Sequence, residues 1–137
     1  MPRLHLVAVA NRLPAWAEAA RGEYLKRMPR GYEVKLLQLK PSAAGKLRDK
    51  IPKNVRLIAL DERGKDLTTA QFAALLREPT AFVIGPADGL DPALKKEAAL
   101  LLRLSALTLP HALAQVVLCE QLYRAATLLT GHPYHRG

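Results

Sequence analysis

The residues of this chain best equipped for chemistry crowd into its last third. Glu120, Tyr123 and Arg124 fall at adjacent helical spacings, and the chain closes on His132-Pro133-Tyr134-His135-Arg136. Chain ends usually fray and carry few functional groups, so aromatic, imidazole and guanidinium groups at a terminus point to docking or to a ligand. Glu120 and Arg124 are an i, i+4 pair with the carboxylate N-terminal to the guanidinium, the favourable order on a helix. His132 and His135 with Tyr134 can supply acid–base groups or metal ligands. No carboxylate or cysteine is spaced to complete a metal shell, so a metal is not expected. A hydrolase is disfavoured too, because neither a paired carboxylate nor an evident nucleophile accompanies the histidines.

Three further stretches are candidates because of where they fall, at the ends of apolar runs. They are Leu60-Asp61, the loop Gly85-Pro86-Ala87-Asp88-Gly89, and Leu104-Ser105-Ala106-Leu107-Thr108-Leu109 with Pro110-His111. Ligands of parallel sheets bind beyond the carboxyl ends of the strands. The glycine pair permits close backbone approach, though it fits neither the P-loop nor the dinucleotide fingerprint. The run from Leu104 to Leu109 carries no acid, base or metal ligand. It reads as a buried strand, or as a source of backbone groups and apolar walls for a purine ring. His111, just after Pro110, reads as a helix-start residue with a capping or structural role.

The elements that must carry these groups alternate. Leu4 to Ala10 is a β-rich apolar run. Pro14 opens a helix in which Trp16, Ala20, Tyr24 and Met28 recur every four residues, and Pro29 and Gly31 end it. Glu33–Leu39 is a second strand, and Lys40–Lys53 is a basic loop with at most a helical turn or two. Val55–Leu60 is a third strand, and Thr68 or Thr69 caps a helix through roughly Arg77. Ala81–Ile84 is a fourth strand, and Asp91-Pro92 opens a helix through about Leu102. Leu104–Leu109 is a fifth strand, and a final helix from His111 to Thr130 closes at Gly131. Strands alternating with helices make an α/β fold with a mostly parallel sheet covered on both faces.

At 137 residues the chain is one domain, 1–137, with room for a normal core. The formal net charge of +9 points to a polyanionic partner, RNA or DNA ahead of a membrane surface. Lys26, Arg27, Arg30, Lys40, Lys46, Arg48, Lys50, Lys53 and Arg56 supply much of the basic character and suit a phosphate backbone or a solvated face. The single cysteine, Cys119, excludes an internal disulfide framework and reads as a buried, inert thiol. No stretch is long and apolar enough to span a bilayer, and a cytoplasmic location is expected.

With these motifs in hand, the chain resembles the SPOUT-class methyltransferases that modify pseudouridine in large-subunit ribosomal RNA, the ribosomal RNA large-subunit methyltransferase H family. The matching stretches are LHLVAVA near the start, EYLKR in the first helix, IALDERGK after the third strand, and IG-x-x-x-G-L-x-P from Ile84 to Pro92. LSALTLPH, E-x-LYRA from Glu120 to Ala125, and the ending HPYHR complete the set in the family's order. There are two departures. The family usually reads GGPEG where this chain has Gly85-Pro86-Ala87-Asp88-Gly89, and the segment between the second and third strands is short.

The resemblance implies a SPOUT α/β knot, a five- to six-stranded sheet with a C-terminal trefoil knot, acting as a homodimer. It implies S-adenosylmethionine as cofactor, contacted by Leu60, Gly85, Leu104, Ser105, Ala106, Leu107, Thr108 and Leu109. It implies methylation of N3 of a pseudouridine in 23S ribosomal RNA, on the assembled ribosome. Tyr134, His135 and Arg136, supported by Glu120 and Arg124, are the expected catalytic groups. The alternatives are a SPOUT enzyme acting on another RNA, such as transfer RNA, and a non-catalytic ribosome-binding factor.

Overall fold

The computed structural model describes the backbone of residues 3–136 and the side chains of residues 3–134. Five strands form one all-parallel sheet: β1 (Leu4–Val9), β2 (Val34–Leu39), β3 (Arg56–Lys65), β4 (Thr80–Ile84) and β5 (Leu100–Leu102), in the order β2-β1-β4-β3-β5. Five α-helices connect and cover them: α1 (Ala15–Lys26), α2 (Leu47–Lys50), α3 (Thr69–Leu75), α4 (Pro92–Glu97) and α5 (His111–Thr130). Short 3₁₀ turns at Pro41–Lys46 and Pro133–Arg136 complete the described chain.

The central strands are buried on both faces, which is why they read as continuous apolar runs. In β1, Leu4, Leu6 and Ala8 join one core cluster, while Val7 and Val9 join another. The first cluster lies beneath α1, α3 and α5 and includes Phe72, Leu118, Leu122 and Ala126. The second lies beneath the two shorter helices, with Leu47 from α2 and Leu94 from α4. Helices therefore cover both faces of the sheet.

Local punctuation sets the helix ends. Thr68 accepts from the Gln71 backbone N–H at 3.1 Å, and the Gln71 side chain accepts from the Thr68 N–H at 2.9 Å. This reciprocal capping box fixes the start of α3. Helix α5 ends at Gly131 with φ +77°, where His132 N–H reaches Thr127 O at 2.9 Å and Gly131 N–H reaches Leu128 O at 3.4 Å. That Schellman pair turns the chain back toward α5 instead of releasing it to solvent.

The third strand runs to Lys65 instead of closing at Leu60, because Lys65 pairs again with Leu102 of β5 after a register shift at Leu60. Two further expectations change. Helix α4 ends at Glu97 rather than near Leu102, and the fifth strand is Leu100–Leu102 rather than Leu104–Leu109. Ala98 turns extended at φ −67°, ψ 135°, and Ala99 N–H bonds Leu57 O at 2.8 Å, so the apolar run joins β3. No glycine or proline separates helix from strand in Ala98-Ala99-Leu100-Leu101-Leu102, so apolar periodicity alone misplaces the boundary. The stripe on α1 is also displaced. Leu13, Ala17, Arg21 and Met28 are the buried positions, whereas Trp16 is 57 % exposed.

Candidate active site

The carboxyl ends of β3, β4 and β5 open into one cavity of about 820 Å³, within the range of ligand pockets. β3 contributes Leu60–Arg63, from the irregular stretch where its pairing with β5 skips from Leu60 to Lys65, and the other two strands contribute their ends and following loops, Ile84–Leu90 from β4 and Leu102–Leu109 from β5. His111 and Ala114, on the first turns of α5, close one side. All eight residues expected to contact a cofactor, Leu60, Gly85 and the run Leu104–Leu109, line this cavity.

The Leu104–Leu109 segment is a loop, not a strand, and Ser105 Oγ accepts from Leu107 N–H at 2.9 Å within it. Freed from a ladder, its backbone groups are available to a ligand. Leu107 is 78 % exposed, an unusual place for leucine and a ready apolar wall. Gly85 is closely packed: a Cβ there would lie 2.6 Å from Leu90 Cγ and Cδ2, so the Leu90 side chain would have to shift. The Gly89 N–H bonds Pro86 O at 2.8 Å with Gly89 at φ +93°, so Gly85-Pro86-Ala87-Asp88-Gly89 makes a tight turn at the rim.

The cavity also holds an ion pair. Lys95 Nζ lies 2.7 Å from Asp61 Oδ2, and Asp61 Oδ1 accepts from the Arg63 N–H at 2.7 Å. The Lys95 ammonium first, and the Arg63 N–H second, hold the Asp61 carboxyl below the ordinary carboxylate range. Asp61 was singled out by its place at a strand end. Lys95 was not, since nothing in the helix sequence marks a lysine that folds back over a neighbouring strand. Arg103, also in the wall, makes two bonds to Asp66 at 2.7 and 2.6 Å.

Tyr134, Glu120 and Arg124 form a separate cluster. Tyr134 OH donates to Glu120 Oε2 at 2.8 Å, and Arg124 donates to the same oxygen from Nη2 at 2.8 Å and Nε at 3.1 Å. The Arg124 guanidinium sits 5.1 Å from the Tyr134 ring centre, and the Tyr123 ring meets Tyr134 edge-on at 4.6 Å. Burial, then the Glu120 contact, push the Tyr134 phenol well above its usual range, so it is a donor rather than a base. The expected catalytic residues His135 and Arg136 have side chains outside the described residues.

Glu120 and Arg124 do not line the cavity. They stand six and ten residues beyond Ala114 on α5, about 9 and 15 Å away along the axis at the helical rise per residue. Within one chain, the expected cofactor residues line one cavity, while Tyr134, Glu120 and Arg124 of the expected catalytic residues meet one another away from it.

His111 does not cap α5 with its side chain. Its Nε2 lies 2.9 Å from Gln115 Nε2. Of the basic residues, Lys26 and Arg27 pair with Glu23, Arg48 with Glu97 and Arg56 with Glu78. Lys40, Lys46, Lys50 and Lys53 are exposed on or beside the segment between β2 and β3. No group of three or more potential metal ligands occurs among the described residues.

The protein is a parallel α/β sheet with a cavity at its carboxyl edge beside the long helix α5, the place where sheets of this kind bind ligands. A family model described as "Predicted SPOUT methyltransferase" matches residues 2–135, and the chain belongs to the SPOUT methyltransferase family. A protein of Polynucleobacter asymbioticus called Ribosomal RNA large subunit methyltransferase H is 49% identical over 145 residues, covering 98% of this chain and 99% of that one. The protein of the same name from Paraburkholderia xenovorans is 47% identical over 154 residues, with the same coverage.

Proposed function

We propose that this protein is an S-adenosylmethionine-dependent methyltransferase of large-subunit ribosomal RNA, methylating N3 of a pseudouridine in 23S RNA on the assembled ribosome. The observation that carries the reading is the convergence of Leu60, Gly85 and Leu104–Leu109 on one cavity. The names of the relatives support the ribosomal substrate.

The cavity suits the cofactor. It offers loop backbone outside any strand ladder and leucine walls for an adenine, and charged groups at Asp61 and Lys95 for a zwitterionic amino-acid end. Bound there, S-adenosylmethionine supplies an electrophilic methyl group. The protein's own task is to align N3 of the base with that methyl group and to remove the N3 proton. Arg136 is suited to stabilise an enolate-like ring oxygen as N3 loses its proton, and His135 to accept that proton. Tyr134, docked on Glu120 and Arg124, holds these two residues in place. The exposed lysines around Lys40–Lys53 are suited to RNA phosphates.

The separation of the two clusters favours a homodimer in which the tail of one copy completes the cavity of the other. The family's knot belongs to the same proposal, as does a cytoplasmic location. A chain truncated after Gly131 is expected to bind S-adenosylmethionine normally and to lose methyl transfer. Near-normal transfer by that variant would remove the tail from the mechanism. Methylated nucleosides from treated ribosomes should be N3-methylpseudouridine, and a methylated transfer RNA nucleoside in their place would contradict the substrate assignment.

A further inference from the structure

A chain of polar groups, buried at Arg21 and Gln115, runs from Asn11 just past β1 to His111 at the wall of the cavity, and every link has a fixed direction. Gln38 Nε2 donates to Asn11 O at 3.0 Å, which leaves Gln38 Oε1 as acceptor. Arg21 Nη1 donates to Gln38 Oε1 at 2.6 Å and to Gln115 Oε1 at 2.7 Å. An arginine can only donate, so the Gln115 oxygen must face Arg21 and the Gln115 NH₂ must face His111. Gln115 is fully buried and Arg21 is 8 % exposed, so neither can turn to water instead. His111 Nε2, 2.9 Å from that NH₂, must therefore accept. A neutral imidazole that accepts at Nε2 carries its proton on Nδ1.

We infer that His111 is held as the neutral Nδ1–H tautomer and serves as a hydrogen-bond donor to an acceptor atom of the ligand in the cavity. It is a positioning residue and not an acid, a base or a phosphate-binding cation. Protonation would set an N–H at Nε2 against the Gln115 NH₂. Burial of the ring lowers its pKa in the same direction. The charge behind Gln115 is the cation Arg21, which makes no carboxylate ion pair among the described residues. On the cavity side the ring shares its wall with Asp61, Glu62, Arg63, Asp88, Lys95 and Arg103. The tautomer stands on this geometry alone, while the donor role toward a cavity ligand rests on the proposed function.

The wild-type ring is read directly by two-bond ¹H–¹⁵N correlation NMR, with the His111 signals assigned by their loss in His111→Asn. The expected spectrum shows Nδ1 protonated, Nε2 unprotonated, and a ring that titrates below the ordinary histidine range. An Nε2–H tautomer, or ordinary titration, overturns the inference whatever the protein's activity. The donor role is tested by two variants checked for folding by circular dichroism. His111→Asn keeps an amide N–H near the Nδ1 position, and His111→Gln keeps only an acceptor near Nε2 for Gln115. S-adenosylmethionine affinity and the kcat and KM of transfer are measured for both.

His111→Asn is expected to stay within about threefold of wild type and His111→Gln to lose tenfold or more. A loss in affinity places the acceptor on the cofactor, and a loss in kcat with affinity intact places it on the RNA base. A His111→Gln variant equal to or better than His111→Asn would show that only the Gln115 contact matters, and would overturn the donor role. Absence of S-adenosylmethionine binding by the wild type would refute the proposed function and leave the tautomer assignment standing.

Discussion

Glu120 Oε2 lies 2.8 Å from the Tyr134 hydroxyl, so a carboxylate in the middle of α5 anchors the residue that opens the C-terminal tail. The same oxygen takes two bonds from Arg124, whose guanidinium stacks near the Tyr134 ring. Tyr134 is thereby docked on α5. Glu120→Gln keeps the shape and removes the charge, so Arg124 and Tyr134 lose a charge-assisted partner. The variant should fold with a stability loss of about 1–2 kcal/mol. Its S-adenosylmethionine affinity should be unchanged, and its methyl transfer should fall at least about tenfold, roughly 1.4 kcal/mol of barrier. Calorimetry and single-turnover assays on the same preparation separate the two effects.

Three glycine-to-alanine changes should rank by what a Cβ meets. At Gly64 it would lie 2.7–2.8 Å from the Leu101 and Leu102 backbone, which cannot step aside without parting β3 from β5. Gly64→Ala should cost about 2–3 kcal/mol by overpacking. At Gly85 the obstacle is mainly the Leu90 side chain, so Gly85→Ala should cost less, about 1 kcal/mol, while reshaping the cavity rim. Gly22 lies within α1 with nothing within 4 Å, so Gly22→Ala should stabilise by about 0.5–1 kcal/mol. Chemical denaturation of the three variants tests the order.

Asp61 should give the protein a measurable acid sensitivity. Its folded pKa lies below the ordinary value, so its ion pair contributes stability that is fully present above about pH 4 and is lost as pH falls through the folded pKa. Asp61→Asn should therefore be less stable than wild type at neutral pH, with the gap narrowing as pH falls below about 4. A gap that stays constant with pH would remove the Lys95 pair as its source.

Cys119 should be silent. It is fully buried on α5, and burial pushes its thiol up to about 12. A thiol reagent should leave the native protein unlabelled and label one site per chain after denaturation. Labelling at native rates would mean that α5 opens from α1 and α3.

What was legible in the sequence follows from where the physics is local. Pro110 and Gly131 punctuate α5, so its ends at His111 and Thr130 could be read directly, and Thr68 announced α3 in the same way. The boundary between α4 and β5 was not legible, because pairing with β3 decides it and five apolar residues fit either state. The exposed Trp16 and the buried Arg21 depart from the apparent stripe on α1, while Tyr24 and Met28 keep to it. Arg21 is buried because Gln38 and Gln115, distant in sequence, supply its acceptors. The cavity was the least legible part. Leu104–Leu109 carries no chemical group of its own beyond Ser105 and Thr108, so its position after an apolar run marked it as a candidate and the family resemblance was needed to choose a ligand over a buried strand.

The central claim is that the cavity at the carboxyl edge of the sheet binds S-adenosylmethionine for transfer to ribosomal RNA. Titration calorimetry with S-adenosylmethionine, followed in the same sample by methyl transfer to ribosomes lacking the modification, tests it most directly. Saturable binding with label appearing in large-subunit RNA is the predicted result. Absence of binding would contradict the claim and favour a non-catalytic ribosome-binding factor. Binding without transfer to ribosomes would keep the cofactor site and overturn the substrate.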